Sequence, residues 1–499
     1  MKWGSLEASE KLVIENFFQQ KGLPLDIALT FDEVAVVDDY TEVRSRLDIH
    51  CFSTRLLDNL ELNLPIISAN MKSVSGAEMI VAMGREGGLG IPPQTEPIEY
   101  RLDILEKVMR AECAVIDDPF KIGPDATLAE VKELTAKFGV SGLLVVDESD
   151  KLIGILSSRD WRYESDDQKS VRQLMTSNKE KELITAASGV SLESAAQILR
   201  QHKVEKLPVV DPGGRLVGLI TARGVFYKAN FPRALRDSKG RFIRIGSIGV
   251  IGRRSEKEIL REVELQIKKG IIALLIDTPN AHSKNMADTI GAVKKAFRLP
   301  IITGNVSTAD GAKFLIGLGV DSVKVGQGPG AACRTREVAG NGLPQLTAIA
   351  ECGVIAHRYG KTIIADGGIR SSPDLQKALI AGADAVMLGS LLCGTWESAA
   401  VARPDKNDSL QQIKIYEGAA SFEAQMGRLE SGGLDKIREP EGVSDVVPIR
   451  GTVSYILNKL LDGLRSGMAY WGARNIEELK EKGYFRRQGL AGYYEGTKK

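Results

Sequence analysis

Cys333 stands in a glycine-dense stretch, residues 324–336 (KVGQGPGAACRTR), directly after the apolar run 323–325. Gly326, Gly328 and Gly330 let the backbone approach a ligand closely and turn N–H groups toward an anion, while the thiol is a soft nucleophile beside it. Such a loop suits covalent chemistry on a bound phosphorylated molecule. The competing reading is an ordinary strand-to-helix turn around an inert cysteine, because a lone glycine pattern is weakly specific. The elements around the loop decide between them.

Short apolar runs ending in Gly, Asn, Asp or Ser recur along the chain: LPIISAN near 67, GGLGI near 90, GSIGVIG near 249, IIALLID near 274, PIITGN near 302, SVKVG near 324, IIADGG near 365 and AVMLGS near 387. Most precede a segment of helical period, such as 255–269 or 372–382. Eight continuous apolar strands alternating with amphipathic helices predict an α/β chain whose parallel sheet closes into a (β/α)8 TIM barrel. In that fold the C-terminal strand ends face the active site. Asn70, Asp277, Asn305, Lys324, Asp366 and Ser390 occupy those ends, where each taken singly could equally be a cap or a turn residue.

The chain has 499 residues, 43% apolar and 26% charged, with 66 basic against 65 acidic side chains. That balance gives no charge-driven affinity for nucleic acid or membranes. Five scattered cysteines (Cys51, Cys113, Cys333, Cys352, Cys393) and four histidines suggest neither a disulfide framework nor a zinc site, and the residues assign no metal. With no signal-peptide pattern and no long uncharged apolar run, a cytoplasmic protein is expected.

The strand pattern is interrupted between its second and third members. There GLLVVDESDKLIGILSSRDW (142–161) aligns without gaps onto KLPVVDPGGRLVGLITARGV (206–225), each copy preceded by a helical segment. The repeat resembles a tandem pair of CBS domains, which implies adenine or guanine nucleotide binding through a Ser/Thr-x-x-Asp pattern. The first copy keeps that pattern as Ser157 and Asp160; the second has Thr221 but Gly224. The expected division is residues 1–113 and 233–499 for the barrel and 114–232 for the inserted module. A polar, weakly periodic stretch after the eighth strand, about 416–451, reads as a mobile flap that excludes water.

Taken together, the cysteine loop, IADGGIRSSPD (364–374), MLGSLLCGT (387–395) and LDGLRSGMAY (461–470) resemble the IMP dehydrogenase/GMP reductase family over nearly the whole chain. The resemblance implies that Cys333 attacks C2 of a purine nucleotide, that Thr335 handles the leaving or entering group, and that a nicotinamide exchanges hydride with that carbon. It implies a phosphate held at Gly367, Gly368, Gly389 and Ser390 with Tyr416 closing the site, and ribose hydroxyls on Asp366. Met71, Asn305, Lys324, Glu417 and Gly418 complete the substrate side, with Asp277, Gly326, Gln327 and Gly328 on the cofactor side. It further implies a homotetramer or octamer and admits a monovalent cation on carbonyls of the cysteine loop. Ala331 replaces the family's usual serine, removing a hydroxyl expected to bind phosphate.

Water handling separates the two branches of the family. Dehydrogenases hydrolyse their intermediate with an Arg-Tyr pair on the flap, and no such pair occurs between 416 and 451. Residues 431–442 resemble the reductases, as do 68–76, 91–98 and 490–496. Reductases assist ammonia departure with a glutamate near the loop threonine; here that expectation falls on Glu423, one residue beyond the usual spacing from Tyr416, where Phe422 stands. The main expectation is therefore NADPH-dependent conversion of GMP to IMP and ammonia. The alternatives are NAD-dependent oxidation of IMP to XMP and, given Ala331 and Phe422, a catalytically silent nucleotide sensor.

Overall fold

The computed structural model describes residues 6–496 except 113–114, 139, 141, 178–182, 253, 406–410 and 431–438. Cys113 and the first part of the reductase-like stretch, 431–438, thus lie outside the described residues. Eight parallel strands follow the eight apolar runs: β1 (Ile66–Ser68), β2 (Leu89–Gly90), β3 (Ile245–Ile248), β4 (Ala273–Asp277), β5 (Ile301–Val306), β6 (Ser322–Val325), β7 (Thr362–Asp366) and β8 (Ala385–Leu388). Their order in the sheet is β3-β4-β5-β6-β7-β8-β1-β2, so β8 pairs with β1 and a nearly closed barrel results.

Period-two alternation sorts each strand between two cores. Ile67, Leu275, Ile302, Ile364, Ala385 and Met387 fill the interior of the barrel, whereas Ile66, Leu274, Ile276, Val323, Ile363 and Val386 pack outward with the helices. Asp277 is two residues beyond inward Leu275, and Asp366 two beyond inward Ile364. Lys324 lies between outward Val323 and Val325. One parity rule therefore aims all three charged side chains at the barrel mouth.

Among the described residues no ladder joins β2 to β3. Side chains satisfy that edge instead: Ser247 N–H donates to Gln266 Oε1 at 2.9 Å, and the Ser247 carbonyl accepts from Arg101 Nη1 at 2.5 Å and Gln266 Nε2 at 3.2 Å. Arg101, fully buried, also meets Glu262 at 2.9 Å, which Arg254 binds from the other side at 2.8 Å. An unpaired strand edge left bare would cost desolvated backbone groups.

The chain divides into two compact units, one running to Met109 and resuming at Arg233–Leu235 and Phe242, the other comprising Arg110–Pro232 and Arg236–Arg241. The second unit thus also takes a short segment beyond the expected boundary at 232, because Lys239 pairs with Asp117 at 2.7 Å and Arg236 with Glu112 at 3.2 Å. Its two halves each form a four-stranded sheet. The repeat extends to the turns: Asp147 Oδ1 accepts from Ser149 and Lys151 N–H, and Asp211 Oδ1 accepts from Gly213 and Arg215 N–H. Each sheet is finished by a strand from just before the other half, Val115–Ile116 on Leu216–Thr221 and Thr176–Ser177 on Leu152–Ser157.

The stretch after β8 is more regular than its sequence suggests. β9 (Gln412–Glu417) pairs antiparallel with β10 (Ser444–Pro448) and with Arg403–Pro404, and a helix spans Phe422–Glu430. β9 escapes a hydropathy reading because its alternation buries Lys414 and Tyr416 and leaves Ile413 only half-buried. The buried Lys414 ammonium is satisfied by the carbonyls of Thr395, Trp396 and Ser398 and by the Ser398 hydroxyl, at 2.7–3.1 Å.

Candidate active site

At the mouth, Lys324 Nζ lies 3.0 Å from Asp277 Oδ1 and 2.6 Å from Asp366 Oδ2. Asn70 Nδ2 donates to Asp277 Oδ2 at 2.9 Å, and Asn305 Nδ2 donates to Asp366 Oδ2 at 3.0 Å and to the Gly326 carbonyl at 2.5 Å. The ends of β4, β5, β6 and β7 and the turn after β1 thus share one polar network. Burial by itself would push the Lys324 pKa down. Attraction to the two carboxylates, with their hydrogen bonds, outweighs that and raises it above the ordinary lysine value, so the ammonium stays charged and holds both acids in place.

After β6 the chain enters the cysteine loop through Gly326 (φ +150°) and Gly328 (φ +89°), conformations that L side chains rarely adopt. A Cβ at Gly326 would collide with the Asp366 carbonyl, and one at Gly328 with the Arg336 side chain. Gln327 is pinned between them, donating to the Pro279 carbonyl at 2.9 Å and accepting from Ser307 Oγ at 2.7 Å. The two glycines thus let the turn close against the Asp366 carbonyl and the Arg336 side chain, beside the Asp277 network. Among the described residues no group of three or more His, Cys, Asp or Glu is placed to hold a metal ion.

The half-buried Cys333 has its Sγ 3.2 Å from Thr335 Oγ1, which donates to Glu441 Oε2 at 3.2 Å. Glu441 is delivered by the return leg of the flap. Arg334 N–H donates to the Glu441 carbonyl at 2.7 Å, Val443 N–H to the Ala332 carbonyl at 3.0 Å, and Cys333 bridges Gly442. The expected partnership of Thr335 with Glu423 is not what the fold builds. Glu423 is exposed at the start of the 422–430 helix and accepts from Ser444 Oγ at 2.6 Å, a bond that holds its carboxyl below the usual range.

On the opposite wall, Gly367 (φ +90°) and Gly368 (φ +83°) turn beneath the cysteine loop, where a Cβ on Gly367 would stand 3.1 Å from Gly330 N. Tyr416, buried on β9, donates to Met71 Sδ at 3.3 Å, and its hydroxyl occupies the space that a Cβ on Gly389 would need. Burial first, then nearby Asp366, raises its phenol pKa, so it remains a donor. Glu417 N–H donates to Ser73 Oγ at 3.2 Å, and Gly418 N–H to the Val443 carbonyl at 3.1 Å. Ser390 opens a one-turn helix, Ser390–Cys393, directly after Gly389.

The fold therefore gathers Met71, Gly367, Gly368, Gly389, Tyr416, Glu417 and Gly418 with the cysteine loop and the Lys324 network. Sequence reasoning gave no role to Glu441, Ser73 or Ser307, although the reductase-like stretches 431–442 and 68–76 contain the first two. Ser157 and Asp160 belong to the second unit, where Ser157 N–H and Oγ both donate to Asp160 Oδ2 at 2.6 and 2.8 Å. Thr221 accepts from Gly224 N–H at 3.0 Å in the other half.

Comparison with known proteins gives this geometry its context. Residues 28–499 match the family described as "IMP dehydrogenase / GMP reductase domain". The chain is 43% identical over 477 residues to the inosine-5'-monophosphate dehydrogenase of Aquifex aeolicus, covering 94% of each, and 39% identical over 493 residues to that of Bacillus subtilis, covering 96% of each. Among solved structures it resembles a Trypanosoma brucei GMP reductase in complex with guanosine 5'-monophosphate, with a TM-score of 0.86 and 34% identity over 96% of this chain and 99% of that one. The same enzyme in complex with guanosine 5'-triphosphate gives a TM-score of 0.76 at 32% identity over 94% and 99%. A cysteine loop docked against a flap at the mouth of an eight-stranded barrel, matched across nearly the full length, places the chain in the IMP dehydrogenase/GMP reductase family of nicotinamide-dependent purine nucleotide oxidoreductases.

Proposed function

We propose that the chain reduces GMP to IMP and ammonia with NADPH, through a bond between Cys333 and C2 of the purine. The observation that carries this reading is the Cys333–Thr335–Glu441 chain of contacts, combined with a flap that has no Arg-Tyr pair between 416 and 451. Cys333 sulfur adds to C2 as the thiolate; a free thiol is only a few per cent ionised at neutral pH, so Thr335 and Glu441 are the groups through which its proton leaves. The same pair returns a proton to the 2-amino group, which departs as ammonia. When bound, the nicotinamide supplies the hydride that replaces sulfur at C2. Asp366 holds the ribose, Gly367, Gly368, Gly389 and Ser390 the phosphate, and Tyr416 and Met71 close over the nucleotide.

The named sequence relatives are IMP dehydrogenases, and they favour the oxidative alternative, NAD-dependent conversion of IMP to XMP, over this main reading. The flap is given precedence here because overall identity is shared by both activities, whereas hydrolysis of a thioimidate requires a residue that activates water. Purified protein incubated with GMP and NADPH is expected to lose reduced-nicotinamide absorbance. Gain of that absorbance with IMP and NAD, and no loss with GMP and NADPH, would establish the dehydrogenase instead. We assign the second unit, Arg110–Pro232 with Arg236–Arg241, as the tandem CBS module on its doubled strand-turn-strand repeat, with the Ser157–Asp160 half as the nucleotide-binding side. The guanosine 5'-triphosphate complex of the trypanosomal reductase makes guanine nucleotides the ligands to test first. A homotetramer or octamer in the cytoplasm completes the proposal.

A further inference from the structure

Gln345 opens the helix Gln345–Arg358 and is 3% exposed, yet it belongs to none of the contacts described so far. Its Nε2 donates to two main-chain carbonyls, Val325 at 3.0 Å and Asp366 at 3.2 Å. These carbonyls sit where β6 and β7 part company, since the last paired residues of that ladder are Val325 and Ala365. Each immediately precedes a glycine turn: Val325 precedes Gly326, which leads to the cysteine loop, and Asp366 precedes Gly367 and Gly368. One amide therefore supplies an additional rung between two loops that no longer pair with each other. The amide cannot be reversed, because its oxygen would then face both carbonyls. That oxygen, Oε1, is buried without a hydrogen-bond partner among the described residues. An acceptor left unsatisfied is costly, so the two donated bonds carry the reason for a glutamine at this position.

We infer that Gln345 is a positioning residue that sets the separation between the Cys333 loop and the turn holding the nucleotide's phosphate and ribose. The groups proposed to hold the nucleotide, Asp366, Gly367, Gly368, Gly389, Ser390, Tyr416 and Met71, all lie outside the cysteine loop, whereas attack on C2 needs that loop and the Gly367 turn at the correct distance. Losing the rung accordingly acts on turnover more than on affinity. The inference rests on the reading that Cys333 bonds to the purine.

The test uses the full chain carrying Gln345→Met, which keeps length and apolarity but has no donor, and Gln345→Glu, which regains one donor only when protonated. Gln345→Met is expected to melt cooperatively, to lower kcat by roughly 10- to 100-fold, and to leave the nucleotide KM within about threefold, as displacement of a reacting atom would. Gln345→Glu should recover part of its rate as the pH is lowered, and Gln345→Met should not. At saturating GMP, protection of Cys333 from iodoacetamide should fall from at least about tenfold to less than about threefold in Gln345→Met. A kcat within about twofold of the parent would overturn the inference, as would a parallel loss of kcat and thermal stability in both variants without recovery at low pH. If the parent turns over neither nucleotide pair, or if Cys333→Ala retains activity, the proposed reaction fails, while the iodoacetamide measurement still reports on Gln345.

Discussion

A thiol 3.2 Å from a hydroxyl that itself reaches a carboxylate has a route for its proton, which a thiol in an apolar pocket lacks. Cys352 illustrates the contrast: fully buried in the core, its thiol pKa is raised well above the ordinary value, first by burial and then by Glu351, and it stays a packed, inert group. Glu441→Gln is expected to lower kcat by roughly 100-fold or more, the usual range for a positioned acid–base group, while Glu423→Gln should stay within about twofold. Steady-state rates on the two variants decide which glutamate serves Thr335. Lys324→Met leaves Asp277 and Asp366 facing one another with no cation between them. Removing one member of a buried charge cluster costs about 3–5 kcal/mol, so urea unfolding should show a loss of that order along with abolished turnover.

At the scale of elements, the barrel depends on a seam held by side chains. Gln266→Leu strands the Ser247 N–H at the open edge of β3 and should cost about 1–3 kcal/mol, measurable by chemical denaturation. A second device sits at the opposite end of β8. Asp384, buried, accepts from His357 at 2.9 Å, Lys480 at 2.5 Å and the Ile363 N–H at 2.7 Å. Burial alone would raise its pKa, but Lys480 and His357 lower it from 3.8 to about 2. Because the folded value lies below the unfolded one, the associated stability is full above about pH 4 and is lost as pH falls toward 2; at about 1.4 kcal/mol per unit it amounts to roughly 2 kcal/mol. Asp384→Asn should remove that amount at neutral pH and flatten the acid limb of the unfolding curve.

At the scale of the whole molecule, no described helix is long and apolar enough to cross a membrane, and the chain divides into two compact units. Within the second unit each half's sheet is completed by a strand from just before the other half, and Leu144, Val146, Leu216 and Leu219 of the two halves share one small core. Asp160→Ala removes the carboxylate that Ser157 holds. It is expected to weaken guanosine nucleotide binding to that unit by about tenfold, the usual worth of one or two charged hydrogen bonds, with GMP turnover at the barrel unchanged. Calorimetric titration beside steady-state rates would show both.

The eight strands were legible in the sequence because parallel strands buried on both faces are written as continuous apolar runs, and the polar residues at or just beyond their C-terminal ends pointed to Asn70, Asp277, Asn305, Lys324 and Asp366. The repeat was equally plain, since its two copies share even the aspartate that caps each turn. Other features depend on contacts that hydropathy and spacing do not encode. β9 hid behind a buried lysine whose cost is met by four oxygens from another loop. The boundary near 232 moved because Arg236 and Lys239 find acidic partners across the insertion. Glu441 stands 106 residues from Thr335, and only the docking of the flap's return leg on the cysteine loop sets it there in place of Glu423, which its place after Tyr416 had suggested. Local pattern determined which segments become barrel strands and which side chains face the mouth, because alternation is a property of the strand itself. Which acid meets the threonine, and which amide spans two loops, was decided by the tertiary structure, because a hydrogen bond depends on distance in space.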